Sequence, residues 1–518
     1  MTSADNHRFI FFLLLLITMV IGTVTALSYG ITWDEPENFF VGRVYLNVLS
    51  QGSMRFLKDP DHLAIPQALP FRSETHWERY APFPLLVSSL SSLVLSETFH
   101  LTHPVTAHHL GVVFFGALGV AATYALALEL TGSVAAGVMS ALILFLVPLY
   151  FGQMHNNIKD IPYAAMAVLS VFLWLRAGKN PTSARAVAAG ISFGLTLATR
   201  VTGVLLVPAF VLWVVAFARK QFRMSFRNIA LGIAVSFATL CAVWPWLIAA
   251  PISHTQLIWQ YLHEVGRGLP VLFDGQRFAA GVSVPWYYAA VMVFLTIPLP
   301  VAGAFVAGLS GGFGKKGAPM AIPAIVIGTF LLPYLLPSTI IYNGARHLMA
   351  VYPFIAVIAG WGSVVIVRRV RRMPRLAAVA VLILLLGSEG LAIVRFYPFE
   401  TVYFNPVAGS MKRAAVSYDF DYWGFSVADM VRYLNVTPGM AVGPVYVEWI
   451  GFRGEYFSGN RFPFTEAGSG NARYVIVPNS RNFFDGAITY WQEHGTLIYT
   501  PMREGVPIGY LYRTDRGL

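Results

Sequence analysis

Three carboxylates fall within four residues in the stretch Ile31-Thr32-Trp33-Asp34-Glu35-Pro36-Glu37, just beyond an apolar run that reads as a helix over residues 8–29. Carboxylates at a membrane face contribute little to packing or anchoring, so their position asks for a chemical role. Glu78, Arg79, His155, Lys159, Asp160, Arg200 and Arg346 are placed by the same reading at or near that face. Guanidinium and ammonium groups hold phosphate oxygens through charge-assisted hydrogen bonds. A carboxylate beside them takes the proton of an attacking hydroxyl. The set suits a substrate with a phosphate leaving group, and a lipid-linked sugar would meet it at the membrane surface. Transfer to a hydroxyl with inversion needs one base, unlike the two-carboxylate arrangement of hydrolases.

Plainer roles stand beside these. An Asp-Glu pair also serves to stop a helix in a solvated loop. Arg200 and Arg346 fit as snorkelling residues at helix ends, and His155 fits as a cap. Lys159-Asp160 before Ile161-Pro162 has the form of a helix start, with an acidic residue and a proline in the first turn. Glu389 lies within an apolar run, where hydrogen bonding inside a bundle accounts for it.

The elements that must position these groups are membrane helices. The chain has 518 residues, 56% hydrophobic and 12% charged, which excludes an ordinary soluble enzyme. Several apolar runs reach the roughly 20 residues that cross about 30 Å of hydrocarbon. The first lacks a small-x-small cleavage site, so it is read as a retained helix. The single Cys241 excludes an intramolecular disulfide and a cysteine-based zinc site within one chain. The net charge of +11 is not a nucleic-acid signal, because residues 1–397 carry +12 and residues 398–518 carry −1.

The excess of basic residues reports topology instead. The clusters are Arg176, Lys179 and Arg185; Arg219, Lys220, Arg223 and Arg227; Lys315 and Lys316; and Arg368, Arg369, Arg371, Arg372 and Arg375. Helices are expected at 8–29, 106–130, 133–151, 161–177, 186–199, 202–218, 228–250, 285–309, 319–340, 347–367 and 376–397. Eleven crossings from a cytoplasmic N-terminus put every basic cluster inside and leave the acidic stretch, Lys159-Asp160 and the C-terminal part outside. Residues 186–218 are best divided near Arg200, since one long helix would place a flanking basic cluster on the wrong side. Short helices are tolerated where they line a protein cavity.

The first outer loop, 30–105, holds an irregular amphipathic segment, Asn38 to Leu49, expected to lie along the interface. It also holds the polar passage from His76 to Pro84 and an apolar run to Leu95 that is interfacial or re-entrant. The second outer loop, 251–284, carries His254, Trp259, Tyr261, His263, Glu264, Arg267, Asp274 and Arg277 and leads to the aromatic belt Pro285-Trp286-Tyr287-Tyr288. After Tyr397 the character changes. Ala441 to Trp449 and Arg473 to Val477 alternate like strands and Val427 to Leu434 reads as a helix, giving an extracytoplasmic α/β domain at 398–518. It contains no glycine-rich phosphate loop and no zinc or dinucleotide pattern.

The sequence resembles the GT-C superfamily of polytopic glycosyltransferases over residues 8–397, in the branch of protein O-mannosyltransferases and lipid A aminoarabinose transferases. In that branch an Asp-Glu pair follows the first helix and its Asp is the proposed base; Asp34 and Glu35 match it. Glu78-Arg79-Tyr80-Ala81-Pro82 loosely resembles a Glu-Lys-Pro-Pro-Leu passage of the bacterial lipid A enzymes, with Arg for Lys and two residues inserted before proline. Asp160 matches an acidic residue at the outer start of the fourth helix. Gly344-Ala345-Arg346-His347-Leu348 through Tyr352-Pro353 resembles an Arg-Tyr-Leu…Pro passage at a late helix. Asn405 to Gly424, with Asp421-Tyr422-Trp423-Gly424, is similar to a segment after the last helix in bacterial members and has no assigned chemistry.

The resemblance implies a polyprenyl-phosphate-linked sugar donor, a hydroxyl-bearing acceptor, action at the outer face of a bacterial cytoplasmic membrane, and inversion. It implies Asp34 as base with Glu35 shaping the site. Arg79, Lys159 and Arg346 are donor-phosphate candidates beside Glu78, and Asp160 would orient the acceptor or a cation. His155 and Arg200 are further candidates. Some members bind a divalent metal near the donor phosphate and others need none. The scattered histidines show no ligand pair on a helix, so no metal is assigned. The alternative is a transporter or flippase of lipid-linked glycans, whose charges would line a path at mid-membrane depth; here they gather at one face. A scaffold whose C-terminal part binds a partner leaves the acidic stretch unexplained.

Overall fold

The computed structural model describes residues 3–69, 79–219, 222–312, 320–370, 375–449, 452–466 and 468–514. His76, Trp77, Glu78, Lys220, Lys315, Lys316, Arg371 and Arg372 lie outside the described residues.

Helix α1 (Ser3–Ala26) leads into the acidic turn, and α2 (Glu35–Gln51) starts there with Pro36 in its first turn and ends at Gly52, whose φ is +60°. Next come α3 (Phe83–Ser92), α4 (Pro104–Thr131), α5 (Val134–Leu146), α6 (Pro148–Gln153), α7 (Asp160–Lys179), α8 (Ser183–Leu197), α9 (Leu206–Trp213) and α10 (Phe226–Val243). The chain continues through α11 (Pro245–Ala249), α12 (Pro251–Glu264), the antiparallel hairpin β1 (Pro270–Phe273) and β2 (Gln276–Ala279), α13 (Tyr288–Leu295), α14 (Leu299–Gly312), α15 (Ala321–Leu331), α16 (Tyr352–Val370) and α17 (Arg375–Phe396).

Among the described residues six helices are long and apolar enough to cross a membrane: Asp5–Ala26, Pro104–Thr131, Asp160–Lys179, Val201–Ala218, Phe226–Val243 and Arg346–Arg369. The chain is a multi-pass membrane protein. Helix α4 runs through its centre, packed on α1, α3, α5, α7 and α16. Helix α10 sits at the periphery with no buried residue. Its seam with α8 is made of small residues: a Cβ on Gly190 would stand 2.5 Å from the Gly232 carbonyl, and one on Gly194 2.5 Å from that of Ser236. Close backbone approach of this kind is how membrane helices associate without a hydrophobic driving force.

Several expected helices are broken, and prolines explain where. The segment expected at 285–309 is two helices, α13 and α14, bent by 115°. Pro298 and Pro300 withhold their N–H groups there. Asn405 answers the freed carbonyls: its side-chain amide donates to Phe294 O at 2.7 Å and Ile297 O at 3.0 Å, and its backbone N–H to Leu295 O at 2.7 Å. The segment at 133–151 divides before Pro148 and that at 228–250 before Pro245. Residues 186–218 divide around Arg200, where the 3-10 turn Val201–Leu205 joins α8 to α9.

Helix α2 corrects one expectation. It presents no open amphipathic face but is buried on most of its faces and packs on α3. Two of its buried polar residues, Arg43 and Asn47, are partnered inside the protein, which offsets the cost of burying them. Arg43 pairs with Glu97, and Asn47 exchanges two hydrogen bonds with the backbone of Ile65. The run before Leu95 is α3, continued by a π turn at Leu93–Thr98 and packed on α2 and α4.

Beyond α17 come α18 (Met411–Ser417), α19 (Val427–Val436), β3 (Val445–Val447), β4 (Tyr474–Pro478), α20 (Arg481–His494), β5 (Thr496–Tyr499), the short pair β6 (Met502–Arg503) and β7 (Val506–Pro507), and β8 (Gly509–Arg513). The four-stranded sheet has the order β3–β4–β8–β5, with β3 parallel to β4 and the other pairs antiparallel. Strand β3 is shorter than the expected 441–449 because Pro444 has no N–H for the ladder; its carbonyl accepts from the N–H groups of Arg473 and Tyr474 instead.

Candidate active site

Thr32-Trp33-Asp34-Glu35 has the form of a capping box, in which the fourth residue reaches back to the first. Glu35 Oε2 accepts the Thr32 N–H at 2.6 Å, and Asp34, the residue before α2, makes no side-chain cap. Because Glu35 caps the turn, the Asp34 carboxylate is free to face outward. It stays 37% exposed, whereas Glu35 is 1% exposed, with its other oxygen 2.9 Å from His109 Nε2 on α4. Of the sequence-derived pair, Asp34 therefore faces the site and Glu35 holds the turn.

Arg346 reaches Asp34 from the far end of the chain. Asn343 and Gly344 take positive φ values of 58° and 65° and turn the backbone into the 3-10 segment Arg346–Val351. Gly344 N–H donates to Asp419 Oδ2 at 3.1 Å. Arg346 Nη1 then donates to Asp34 Oδ2 at 2.8 Å, with its guanidinium 4.5 Å from the Trp423 ring and 5.1 Å from that of Tyr342. Trp423 Nε1 donates to the same Oδ2 at 3.1 Å. Burial pushes the Asp34 carboxyl up, but the charges of Arg346 and Lys159 and the two hydrogen bonds outweigh it, so the net shift is below the ordinary carboxylate value.

Lys159, just before α7, lies with Nζ 3.9 Å from the centre of the Tyr80 ring. Tyr80 donates through its hydroxyl to Glu37 at 3.3 Å. Burial lowers the Lys159 ammonium below its ordinary value; Asp34 and Glu37 oppose this, while Arg346 and Arg200 reinforce it. Asp160 pairs with Arg200 and accepts from the Asn157 amide at 3.0 Å. Of Lys159, Arg200 and Arg346, Lys159 alone makes no ion pair among the described residues. Arg79 is half-buried beside Tyr80.

His155 is directed elsewhere. It is fully buried, stacked at 3.8 Å on Tyr29 and 2.8 Å from Thr25 Oγ1, and burial pushes its imidazole down to about 3. Among the described residues no group of three or more His, Cys, Asp or Glu is placed to hold a metal ion. Among the described residues, Asp34 and Asp160 are each paired with an arginine.

Glu37, Tyr80, Tyr342 and Trp423 were not among the sequence-derived site residues. Glu37 carried a signal: it stands three residues after Asp34, on the same face of a helix starting there. Trp423 lay in the segment that resembles one after the last helix in bacterial members, but nothing in the sequence joined it to Asp34, 389 positions away.

Paired carboxylates and cations are thus gathered beside the ends of α1, α7 and α16 in a multi-pass membrane protein. Its fold is ArnT-like. Residues 97–248, which include Lys159, Asp160 and Arg200, match the family described as dolichyl-phosphate-mannose-protein mannosyltransferase. The structure is similar to ArnT from Cupriavidus metallidurans bound to undecaprenyl phosphate, with a TM-score of 0.52 and 15% identity over 96% of this chain and 97% of that one. More distant likenesses are the oligosaccharyltransferase of Archaeoglobus fulgidus (TM-score 0.44, 14% identity, 97% of this chain and 75% of that one) and the arabinofuranosyltransferase AftD from Mycobacteria (TM-score 0.41, 14% identity, 97% and 40%). No curated protein matches the sequence.

Proposed function

We propose that this chain is an inverting glycosyltransferase that moves a sugar from a polyprenyl-phosphate carrier to a hydroxyl of a glycan, lipid or protein. It acts at the outer face of a bacterial cytoplasmic membrane, with its N-terminus inside and residues 398–518 outside. The observation that carries this reading is an exposed, ionised Asp34 beside Arg346 and Lys159. The Asp34 carboxylate takes the acceptor's proton as the acceptor oxygen bonds to the anomeric carbon. The bond from that carbon to the phosphate oxygen breaks, and polyprenyl phosphate leaves with the electron pair. Lys159 and Arg346, with Arg79 and Arg200 nearby, stabilise the charge that gathers on the phosphate. Glu35 is buried against His109 and Asp160 against Arg200, whereas Asp34 stays 37% exposed, which favours Asp34 as the base that inversion needs. The likeness to a protein bound to undecaprenyl phosphate supports the donor class.

The test is sugar transfer from a panel of radiolabelled polyprenyl-phosphate sugars by purified wild type and Asp34→Asn. Removing a general base costs about 100-fold or more. Transfer that collapses in the variant supports the reading. Transfer at the wild-type rate moves the base to another residue, and donor translocation in liposomes without transfer replaces the enzyme by a flippase.

A further inference from the structure

The segment Asp421-Tyr422-Trp423-Gly424 is held from several sides. Tyr422 accepts from the Gln153 amide at 2.7 Å, at the end of α6. Three residues before Tyr422, Asp419 accepts the backbone N–H groups of Leu272 at 2.9 Å and Gly344 at 3.1 Å. Asp421 and Gly424 take φ values of +42° and +70°, so left-handed backbone brackets Tyr422-Trp423. A Cβ at Gly424 would lie 3.3 Å from the Trp33 ring, which favours glycine there on two grounds.

Trp423 itself is 3% exposed and grips the acidic turn twice. Its carbonyl accepts the Trp33 N–H at 3.4 Å, and its indole N–H donates to Asp34 Oδ2 at 3.1 Å. Arg346 uses that same oxygen, at 2.8 Å. Among the described residues no hydrogen bond reaches Asp34 Oδ1, and the side chain stays 37% exposed.

We infer that Trp423 is a positioning residue for Asp34: its indole N–H and the Arg346 guanidinium hold Oδ2 and so present Oδ1 to the acceptor's proton. The inference rests on the reading of Asp34 as the base. A carboxylate tethered at one oxygen cannot rotate its second oxygen away from the attacking hydroxyl, and orientation of this kind contributes to rate, not to ground-state binding. The segment after the last long helix thereby completes a site otherwise built on the helices before it.

Trp423→Phe keeps a ring under Arg346 and removes the N–H. The expected result is a fall in kcat of about tenfold or more, the scale of a hydrogen bond to a charged group, with donor KM unchanged. The acid limb of the pH–rate profile moves to higher pH, because the lost bond is one that lowers the Asp34 carboxyl. On an Asp34→Asn background the same change costs nothing further, since Trp423 acts through Asp34. A further loss on that background, as a general defect of folding produces, overturns the inference. So does a wild-type kcat and acid limb in Trp423→Phe when Asp34→Asn alone has collapsed. Full activity in Asp34→Asn overturns the base assignment itself, and the inference with it.

Discussion

Arg346 and Asp34 are 312 residues apart in the chain, yet their side chains meet at 2.8 Å at the start of α2. Arg346 is 8% exposed and Asp34 37%, so the arginine is fixed within the protein while the carboxylate keeps contact with the site. Under the proposed mechanism the pair sets the charge state of the base. Arg346→Met removes a cation and a hydrogen bond that both lower the Asp34 carboxyl. The ionised base exists above its pKa, so the acid limb of the rate profile shifts upward in the variant. Arg346→Lys keeps the charge but not the planar face lying on Trp423 and Tyr342, and falls between the two. Rates of transfer measured across pH check both.

Lys159 is the cation expected to meet the donor phosphate without giving up an ion pair. Lys159→Met raises donor KM about tenfold to a hundredfold, the scale of a charge-assisted hydrogen bond of about 1.5–3 kcal/mol. Because burial holds its ammonium below the ordinary lysine value, donor binding weakens on the alkaline side as that charge is lost. Lys159→Arg keeps its charge and moves that alkaline limb upward. Donor KM as a function of pH separates the three proteins.

The Glu35–His109 contact predicts a loss of stability, not of chemistry. Both side chains are buried, at 1% and 0% exposure and 2.9 Å apart. His109→Leu leaves the buried Glu35 Oε1 without its polar neighbour, at a cost of about 1–3 kcal/mol. The double variant Glu35→Gln with His109→Leu recovers part of that loss. Thermal unfolding in detergent gives both values.

Glu400 carries a pH dependence of opposite sign to the usual carboxylate. It is fully buried after α17, and burial pushes its carboxyl up to about 8, although the Tyr29 hydroxyl donates to it at 2.7 Å. Between the ordinary value near 4.5 and about 8 the folded chain holds a proton that the unfolded chain has released. Stability contributed by this group is thus complete below about 4.5 and declines as pH rises toward 8. Glu400→Gln removes that decline, so the difference in melting temperature between variant and wild type changes in the variant's favour from pH 5 to pH 8.

The six long apolar helices among the described residues were legible because a run of apolar residues long enough to cross hydrocarbon is a local property. So was the division at Arg200, where topology and sequence pointed to the same break. The bends were not. Pro298 marks a weak point, but the 115° turn between α13 and α14 needs Asn405, more than a hundred residues on, to satisfy the carbonyls it frees. The burial of α2 was hidden for the same reason. Its arginine and asparagine read as surface residues until Glu97 and the Ile65 backbone supply partners.

For the site, the sequence by itself determined the inventory: an acidic turn after the first helix, a Lys-Asp pair at the start of α7 and an arginine before α16. These are short-range patterns, set by backbone geometry within a turn or two. The tertiary structure alone decided the pairing. Within one acidic turn it sends Glu35 inward to His109 and Asp34 outward to Arg346 and Trp423. It gives Asp160 to Arg200 and leaves Lys159 over Tyr80 without an ion pair among the described residues. A hydrogen bond of about 3 Å constrains atoms, not intervals along the chain, so partners separated by hundreds of residues leave no periodicity for one sequence to display.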